Sequence, residues 1–522
     1  MSTPPTGARV LLDAAHALGI RVCFANPGTT ELGLVRALDD VPGIRPVLGL
    51  FEGVCTGAAD GYARITGTPA LTVLHLGPGL ANGLANLHNA RRAQSPIINV
   101  VGDHATWHLG FDAPLTSDIE SLARPMSAHV IRISSSSSIG ADLQRAVADS
   151  LALPGGVVTL IAPSDLMDQA AASVPVRAAD LTRASLLRPI PTQHIIEVAR
   201  RLEADGPAVL LLGSEALTER GQRAALEVAT STGARLMMES YPAIVSLGGD
   251  LPALERLAYF PNDVLRQLGS SCVILAGARA PVSYFGYEGH PSSLVDEDRL
   301  LELSSPGLGS VVALERLAEQ LRGRGSRARA QPGVAKQPED SPTLSPIAVA
   351  EELVRQLPEE AIVSLEGATV GGPFLQRAHR ARRHRVMTNT GGAIGQGLPC
   401  AVGAAVAAPE ARVICLQSDG SAQYTVQSLW TMAREALNVT VIICANHRYG
   451  ILQTELRRAG AALDGSAVAR LTGLDSPRVD WLALAKGYGV PGCRATTTEE
   501  FGQALTRGLG TAGPYLIEAQ LA

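Results

Sequence analysis

Three polar side chains of this 522-residue sequence stand where an apolar run ends, a place where a carboxylate or an amide can be both held and aimed. Asp419 follows Val413-Ile414-Cys415-Leu416 and begins Asp419-Gly420-Ser421; Asn446 closes Val441-Ile442-Ile443-Cys444-Ala445; Glu52 follows Val47-Leu48-Gly49-Leu50-Phe51. A carboxylate and an amide oxygen are hard donors that suit Mg2+ and leave coordination positions for phosphate oxygens. Gly420 permits close backbone approach, and Ser421 opens a helical stretch, read from Val426 to Leu437, whose N-terminus favours an anion. A lone Asp-Gly after a strand is ordinarily only a turn. Here 25 residues separate Gly420 from Asn446, room for one helix and one strand, so the two oxygens converge if their strands are neighbours. Glu52 lies between Phe51 and the Ala/Gly/Val-rich run Gly53 to Arg64, where a carboxylate is poorly solvated.

The elements that must position these groups read as parallel α/β sheets. Short apolar runs, among them Ile97 to Val101, Val157 to Ile161, Val209 to Leu212 and Cys272 to Leu275, alternate with helical patterns. In such sheets ligands collect beyond the carboxyl ends of the strands. The length calls for about three domains, read as 1–180, 185–325 and 343–522. A Pro-ended connector near 176–190 divides the first two, and a polar, Pro/Gly-rich linker at 326–342 divides the last two. The serine run Ser134 to Ser138 reads as a local loop. A net charge of −5 gives no basic footprint for nucleic acid. The seven cysteines are scattered, with no CxxC, and read as reduced thiols of a cytoplasmic protein. Neither a signal pattern nor an apolar run long enough for a membrane span is present.

Ser418-Asp419-Gly420 followed by Asn446-His447 resembles the GDG…NN motif of thiamine-diphosphate (ThDP) enzymes of the benzoylformate decarboxylase and acetolactate synthase (large subunit) superfamily, with Ser418 and His447 as departures. Glu52 and the string Ala58-Ala59-Asp60-Gly61-Tyr62-Ala63-Arg64, ending in Thr66-Gly67, are similar to the pyrimidine-domain signature of the same superfamily. Asn26-Pro27-Gly28-Thr29, Leu76-Gly77-Pro78-Gly79 and Asn389-Thr390-Gly391-Gly392-Ala393-Ile394-Gly395 look like further family blocks. The resemblance implies three doubly wound parallel-sheet domains, binding the pyrimidine, forming the centre and binding the diphosphate. It implies ThDP and Mg2+ as cofactors. Asp419, Asn446 and the Arg448 carbonyl would hold the metal, and Gly420, Ser421, Tyr449, Gly450 and Thr369 would lie along the cofactor. The Gly392 carbonyl would receive the 4′-amino group, Ile394 would be the apolar wedge that bends ThDP, and Glu52 would hydrogen-bond the aminopyrimidine and activate it.

By the same resemblance Thr29 and His75 face the substrate, and a histidine there can act as acid or base near neutral pH. Pro114, Leu115, Phe285, Ile451 and Leu452 suggest an apolar pocket. In Pro281-Val282-Ser283-Tyr284-Phe285-Gly286-Tyr287, Gly286 occupies the position of a second pocket histidine in the decarboxylases, and His290 lies four residues on. His447 either contacts the cofactor or caps its turn, and His104 and His108 flank a loop at the entrance. The expected activity is ThDP- and Mg2+-dependent, non-oxidative decarboxylation of a 2-oxo acid, with carboligation to a second carbonyl compound open to it. An acetolactate synthase-type carboligase and a catalytically silent cofactor-binding subunit are the alternatives, and FAD is not expected. The resemblance places Glu52 of one chain opposite the diphosphate loop of another, hence a homodimer or homotetramer.

Overall fold

A computed structural model describes residues 4–172, 190–204, 206–323, 343–463 and 465–522. The linker at 326–342 and nearly all of the 176–190 connector lie outside the described residues. The apolar runs fold as strands of three sheets. The first sheet holds β1 Val22–Asn26, β2 Arg45–Leu48, β3 Ala70–Leu74, β4 Ile97–Asp103, β5 His129–Arg132 and β6 Val157–Pro163, all parallel, in the order β2-β1-β3-β4-β6-β5. The central sheet is built from β7 Ala208–Leu212, β8 Arg235–Met238, β10 Glu255–Arg256, β11 Cys272–Ala276 and β12 Leu300–Ser304, in the order β10-β8-β7-β11-β12. The third contains β13 Ala361–Glu366, β14 His384–Thr388, β15 Val413–Ser418, β16 Val439–Ala445, β17 Gly492–Ala495 and β18 Tyr515–Gln520.

One strand crosses a boundary that the sequence pattern does not show. β9, Val245–Leu247, leaves the central unit and pairs antiparallel with β14, so the third sheet runs β17-β18-β16-β15-β13-β14-β9. No helix among the described residues is long and apolar enough to cross a membrane.

Four helices position the site: α1 Glu52–Thr66, α2 Leu76–Ala93, α3 Gly397–Ala407 and α4 Gly450–Arg458. α1 and α3 lock the first and third units of one chain together. A Cβ on Gly61 would fall 2.2 Å from the Cys400 carbonyl oxygen, and one on Gly403 would fall 1.9 Å from that of Ala58. Only glycine permits this backbone contact. Beside it Arg64, buried, donates to Asp60 at 2.5 and 2.8 Å and to the carbonyls of Thr388 at 2.7 Å and Ala243 at 3.1 Å. The Asp60-Gly61 and Arg64 positions of the pyrimidine-domain string thus act here as interface residues between two units.

Candidate active site

The structure sets two groups of polar side chains at the carboxyl edges of two sheets. In the first sheet the strand order reverses between β1 and β3, the place where open α/β sheets leave a crevice. Glu52 opens α1 there, buried, and its carboxylate accepts the Asn82 side-chain N–H at 3.0 Å. Gly79 leaves it room, since a Cβ at that position would come within 3.1 Å of Glu52 Oε1. His75 precedes α2, and its ring lies on Gly28, where a Cβ would meet Nδ1 at 2.3 Å.

The partner of this histidine is not legible in the residue pattern. Glu31, wholly buried, stands 2.8 Å from His75 Nδ1 and also accepts the Gly28 N–H at 2.7 Å and the Thr30 hydroxyl at 2.6 Å. A carboxylate on Nδ1 places the proton of the neutral ring there and leaves Nε2 as the acceptor. Gly102 makes space for Glu31, because a Cβ there would lie 1.7 Å from Oε1. Thr29 is exposed, and Thr30 is the threonine that reaches the His75 ring, at 3.3 Å.

At the third sheet the order turns between β13 and β15, and β15 pairs with β16. Asp419 and Asn446 therefore follow adjacent strands. The buried Asp419 carboxylate accepts the His447 N–H at 2.7 Å and the Gly420 N–H at 2.9 Å. Burial pushes its pKa up, and the two backbone N–H groups pull the other way. Asn446 Oδ1 accepts the Arg448 N–H at 3.1 Å, and its Nδ2 donates to Thr369 Oγ1 at 3.3 Å. The Arg448 carbonyl accepts the Gly450 N–H at 3.0 Å and keeps a second lone pair. His447 has φ +53, a left-handed conformation in which Asn, Asp and His are enriched. Its Nδ1 lies 4.0 Å from Asp419, and its buried Nε2 has no hydrogen-bond partner among the described residues. One carboxylate, one amide oxygen and a backbone carbonyl around a glycine turn fit a hard divalent cation that carries phosphates.

The helix expected over Val426 to Leu437 forms but is shorter, Ser428–Arg434. A single turn Asp419–Ala422 is followed by a 3-10 turn Gln423–Thr425 and a helix Ser428–Arg434. Thr425 is drawn to the Gly395 carbonyl, at 2.8 Å, and Ala436 turns the chain at φ +50. Ser421 faces inward, accepting the Gln417 amide at 2.6 Å and donating to the Ser418 carbonyl at 3.2 Å.

Glu366, at the end of β13, is a second residue that the sequence reading passed over. Buried, it accepts the N–H groups of Gly395 at 2.7 Å and Gly397 at 2.6 Å and the Gln417 amide at 3.0 Å. Its pKa is raised, by burial first, against the pull of these donors. It thereby clamps the loop of Gly392 (φ +78) and Ile394, which is 37 % exposed. An acidic residue ending an apolar run was the available signal, the same one that marked Asp419.

A cavity of about 310 Å3 is lined by Thr369, Gly392, Ile394, Asp419, Gly420, Ser421, Asn446, Arg448, Tyr449, Gly450, Ile451, Leu452 and Phe285. A neighbouring cavity of about 530 Å3 shares Thr369, Asn446, Arg448, Gly450 and Ile451 with it and adds Arg256 and Arg457. Glu52, His75 and Thr29 line neither, and nor do Pro114 and Leu115, which are exposed. Within one chain the two half-sites face different spaces. Gly286 also lies outside both cavities, with nothing within 4 Å of a Cβ built on it, and His290, half-buried, lines neither cavity and has Nδ1 3.0 Å from the Glu288 carbonyl. His104 and His108 stack edge to face at 5.5 Å beside the exposed Trp107 and Phe111.

The comparisons with known proteins follow this division. The model of the thiamine pyrophosphate enzyme N-terminal TPP binding domain matches residues 5–123, and that of the C-terminal TPP binding domain matches residues 372–519. A Mycobacterium tuberculosis protein provisionally named an acetolactate synthase large subunit is 45% identical over 98% of each chain. The chain belongs to the thiamine pyrophosphate enzyme family. Benzoylformate decarboxylase of Pseudomonas aeruginosa is 30% identical to this thiamine pyrophosphate enzyme over 96% of each chain. The solved 4-hydroxybenzoylformate decarboxylase of Rhodococcus jostii shares its fold, with a TM-score of 0.83 over 99% of each chain at 24% identity. Asp419 and Asn446 fall within the C-terminal match and Glu52 and His75 within the N-terminal one.

Proposed function

We propose that this enzyme decarboxylates a 2-oxo acid non-oxidatively with ThDP and Mg2+, at a site that two copies of the chain complete. The observation that carries this reading is the separation of the half-sites: Asp419 and Asn446 line one cavity, and Glu52 and His75 do not. A second copy that turns its first sheet edge toward this cavity brings all four together, so a homodimer is the smallest active assembly.

Asp419, Asn446 and the Arg448 carbonyl would hold Mg2+, with Thr369 and Gly420 along the diphosphate. Bound ThDP supplies the carbanion chemistry that loss of CO2 requires. Ile394 and the Gly392 carbonyl would orient its rings, and Glu52 would hydrogen-bond the aminopyrimidine. Asn82 keeps the Glu52 carboxylate in place. His75, fixed through Nδ1 by Glu31, presents Nε2 to the substrate and moves a proton there.

A second reading, carboligation, is favoured by the middle unit. Neither Gly286 nor His290 puts a proton donor into the cavity. The carbon left by CO2 loss then has more opportunity to bond to a second carbonyl compound. Incubation of the ThDP- and Mg2+-loaded enzyme with a panel of 2-oxo acids, with and without acceptor aldehydes, tests both. Mass spectrometry is expected to find CO2 and an aldehyde or a hydroxyketone. No CO2 from any acid, with ThDP bound, would reject the proposal.

A further inference from the structure

Aromatic residues make up 4% of the chain, yet Tyr241, Tyr259, Phe260, Tyr284, Phe285 and Tyr287 form one cluster of touching rings, with neighbouring centroids 4.8 to 6.5 Å apart. Tyr241, Tyr259, Tyr284 and Phe285 wall the 310 Å3 cavity opposite α4. From α4 come Ile451, Leu452 and, one turn after Ile451, Glu455. Residues four apart share a helix face, so Glu455 stands about 6 Å further along that face from the metal loop.

Three carboxylates line this cavity: Glu366, Asp419 and Glu455. Glu366 is consumed by four N–H donors, from Gly395, Gly397, Gln417 and Asn389, and Asp419 by two backbone N–H groups and its place at the metal loop. Glu455 Oε1 accepts the Tyr287 hydroxyl at 3.0 Å, and the Tyr259 hydroxyl lies beside the same pair. Burial and the neighbouring glutamate charge hold the Tyr259 proton in place. Even both hydroxyls together would fill only part of the roughly four acceptor sites of a carboxylate. The result is an aromatic-walled space ending in an oriented, negatively charged acceptor.

We propose that Glu455, at the α4 end of this cavity, selects 2-oxo acids whose end remote from the 2-oxo group carries a hydrogen-bond donor, a phenolic hydroxyl or an ammonium group. The proposal rests on the 2-oxo acid reading of the same site. The carboxylate acts in two directions. A donor at the far end of the substrate completes its hydrogen bonds, and an analogue without one shields a half-buried acceptor from water and leaves it partly unpaired, which a polar site disfavours. A far-end carboxylate meets like charge between low-dielectric walls and is excluded. The same repulsion turns the substrate's own carboxylate away from α4.

The test is steady-state decarboxylation by the ThDP- and Mg2+-loaded enzyme of aryl 2-oxo acids that carry hydrogen, hydroxyl, aminomethyl or carboxylate at the far ring position. Wild type is compared with Glu455→Gln and Glu455→Leu. Wild type is expected to favour the hydroxyl and aminomethyl acids over the unsubstituted one by about tenfold or more in kcat/KM, chiefly through KM, and to disfavour the carboxylate. Glu455→Leu should bring the ratios near one with ThDP affinity, measured by calorimetry, unchanged. Glu455→Gln should keep the hydroxyl preference, lose the aminomethyl gain and admit the carboxylate. CO2 release without discrimination in wild type, or a preference that survives Glu455→Leu, overturns the role of Glu455 and leaves the 2-oxo acid reading standing. No CO2 from any acid, with ThDP bound, overturns both.

Discussion

His75 Nδ1 lies 2.8 Å from Glu31 Oε2, and the Glu31 side chain has no exposed surface. The pair fixes both the tilt and the tautomer of the ring, and the Gly28 N–H and Thr30 hydroxyl hold the carboxylate in turn. Glu31→Gln replaces one acceptor oxygen by an amide N–H that opposes the ring N–H. We expect kcat to fall about 100- to 1000-fold, within the range that a positioned acid or base contributes. ThDP affinity, measured by calorimetry, should stay as in wild type. An unaltered kcat would remove the Glu31–His75 pair from catalysis.

Glu52 and Asp419 should separate by what they lose. Glu52→Gln should keep ThDP binding and lose turnover by about 100-fold or more; near-normal turnover would remove Glu52 from the mechanism. Asp419→Ala should lose the Mg2+-dependent part of ThDP affinity by at least about 10- to 100-fold, since a direct ligand matters no less than the groups that orient it. Calorimetry with and without Mg2+ checks it, and an unchanged affinity would refute the metal assignment.

Glu366 gives a pH dependence of stability. Burial raises its pKa in the folded protein above the ordinary value of 4.5. Between 4.5 and the raised value the folded chain binds a proton that the unfolded chain has released. Its contribution to stability therefore falls as pH rises through that window and is constant above it. Glu366→Gln should flatten this slope, so the wild-type advantage in Tm over the variant should grow as pH falls through the window. A difference in Tm independent of pH would show that Glu366 does not titrate there.

The crossing of α1 and α3 has no room for a methyl group at Gly61 or Gly403. Gly403→Ala should destabilise the chain by about 1–3 kcal/mol or more through overpacking. Because that crossing joins the first and third units, the loss should appear in thermal or denaturant unfolding and in weaker ThDP binding together. A variant with wild-type Tm would show that the helices can move apart.

What the sequence disclosed was set by short-range pattern. The runs Ile97 to Val101, Val209 to Leu212 and Val413 to Leu416 became strands because an apolar run between helical patterns has one stable place, inside a covered parallel sheet. Glu52, Asp419 and Asn446 were legible because each ends such a run or follows just beyond it. Glu31 was not, because it sits in a 3-10 turn, Thr29–Glu31, and is buried by long-range contacts with His75 and the space at Gly102. The shortening of the Val426 to Leu437 helix to Ser428–Arg434 was equally hidden, since the bond from Thr425 to Gly395 spans 30 residues and no glycine marks the turn at Ala436. Tyr259 and Tyr287 meet Glu455 from far along the chain, so neither spacing nor periodicity announces them.

Strand β9 decides how this enzyme can be re-engineered. The middle unit is not a module that can be exchanged at its ends. Excising it strips an edge strand from the third sheet, leaves the outer edge of β14 as an open template for another chain, and withdraws the Pro242 and Ala243 carbonyls that Thr388 and Arg64 use. A graft intended to change the aromatic wall must carry residues 241–247 with it. If it does, the new wall arrives already in register with the cofactor loop, because the same short ribbon that fastens the unit also delivers Tyr241 to the cavity.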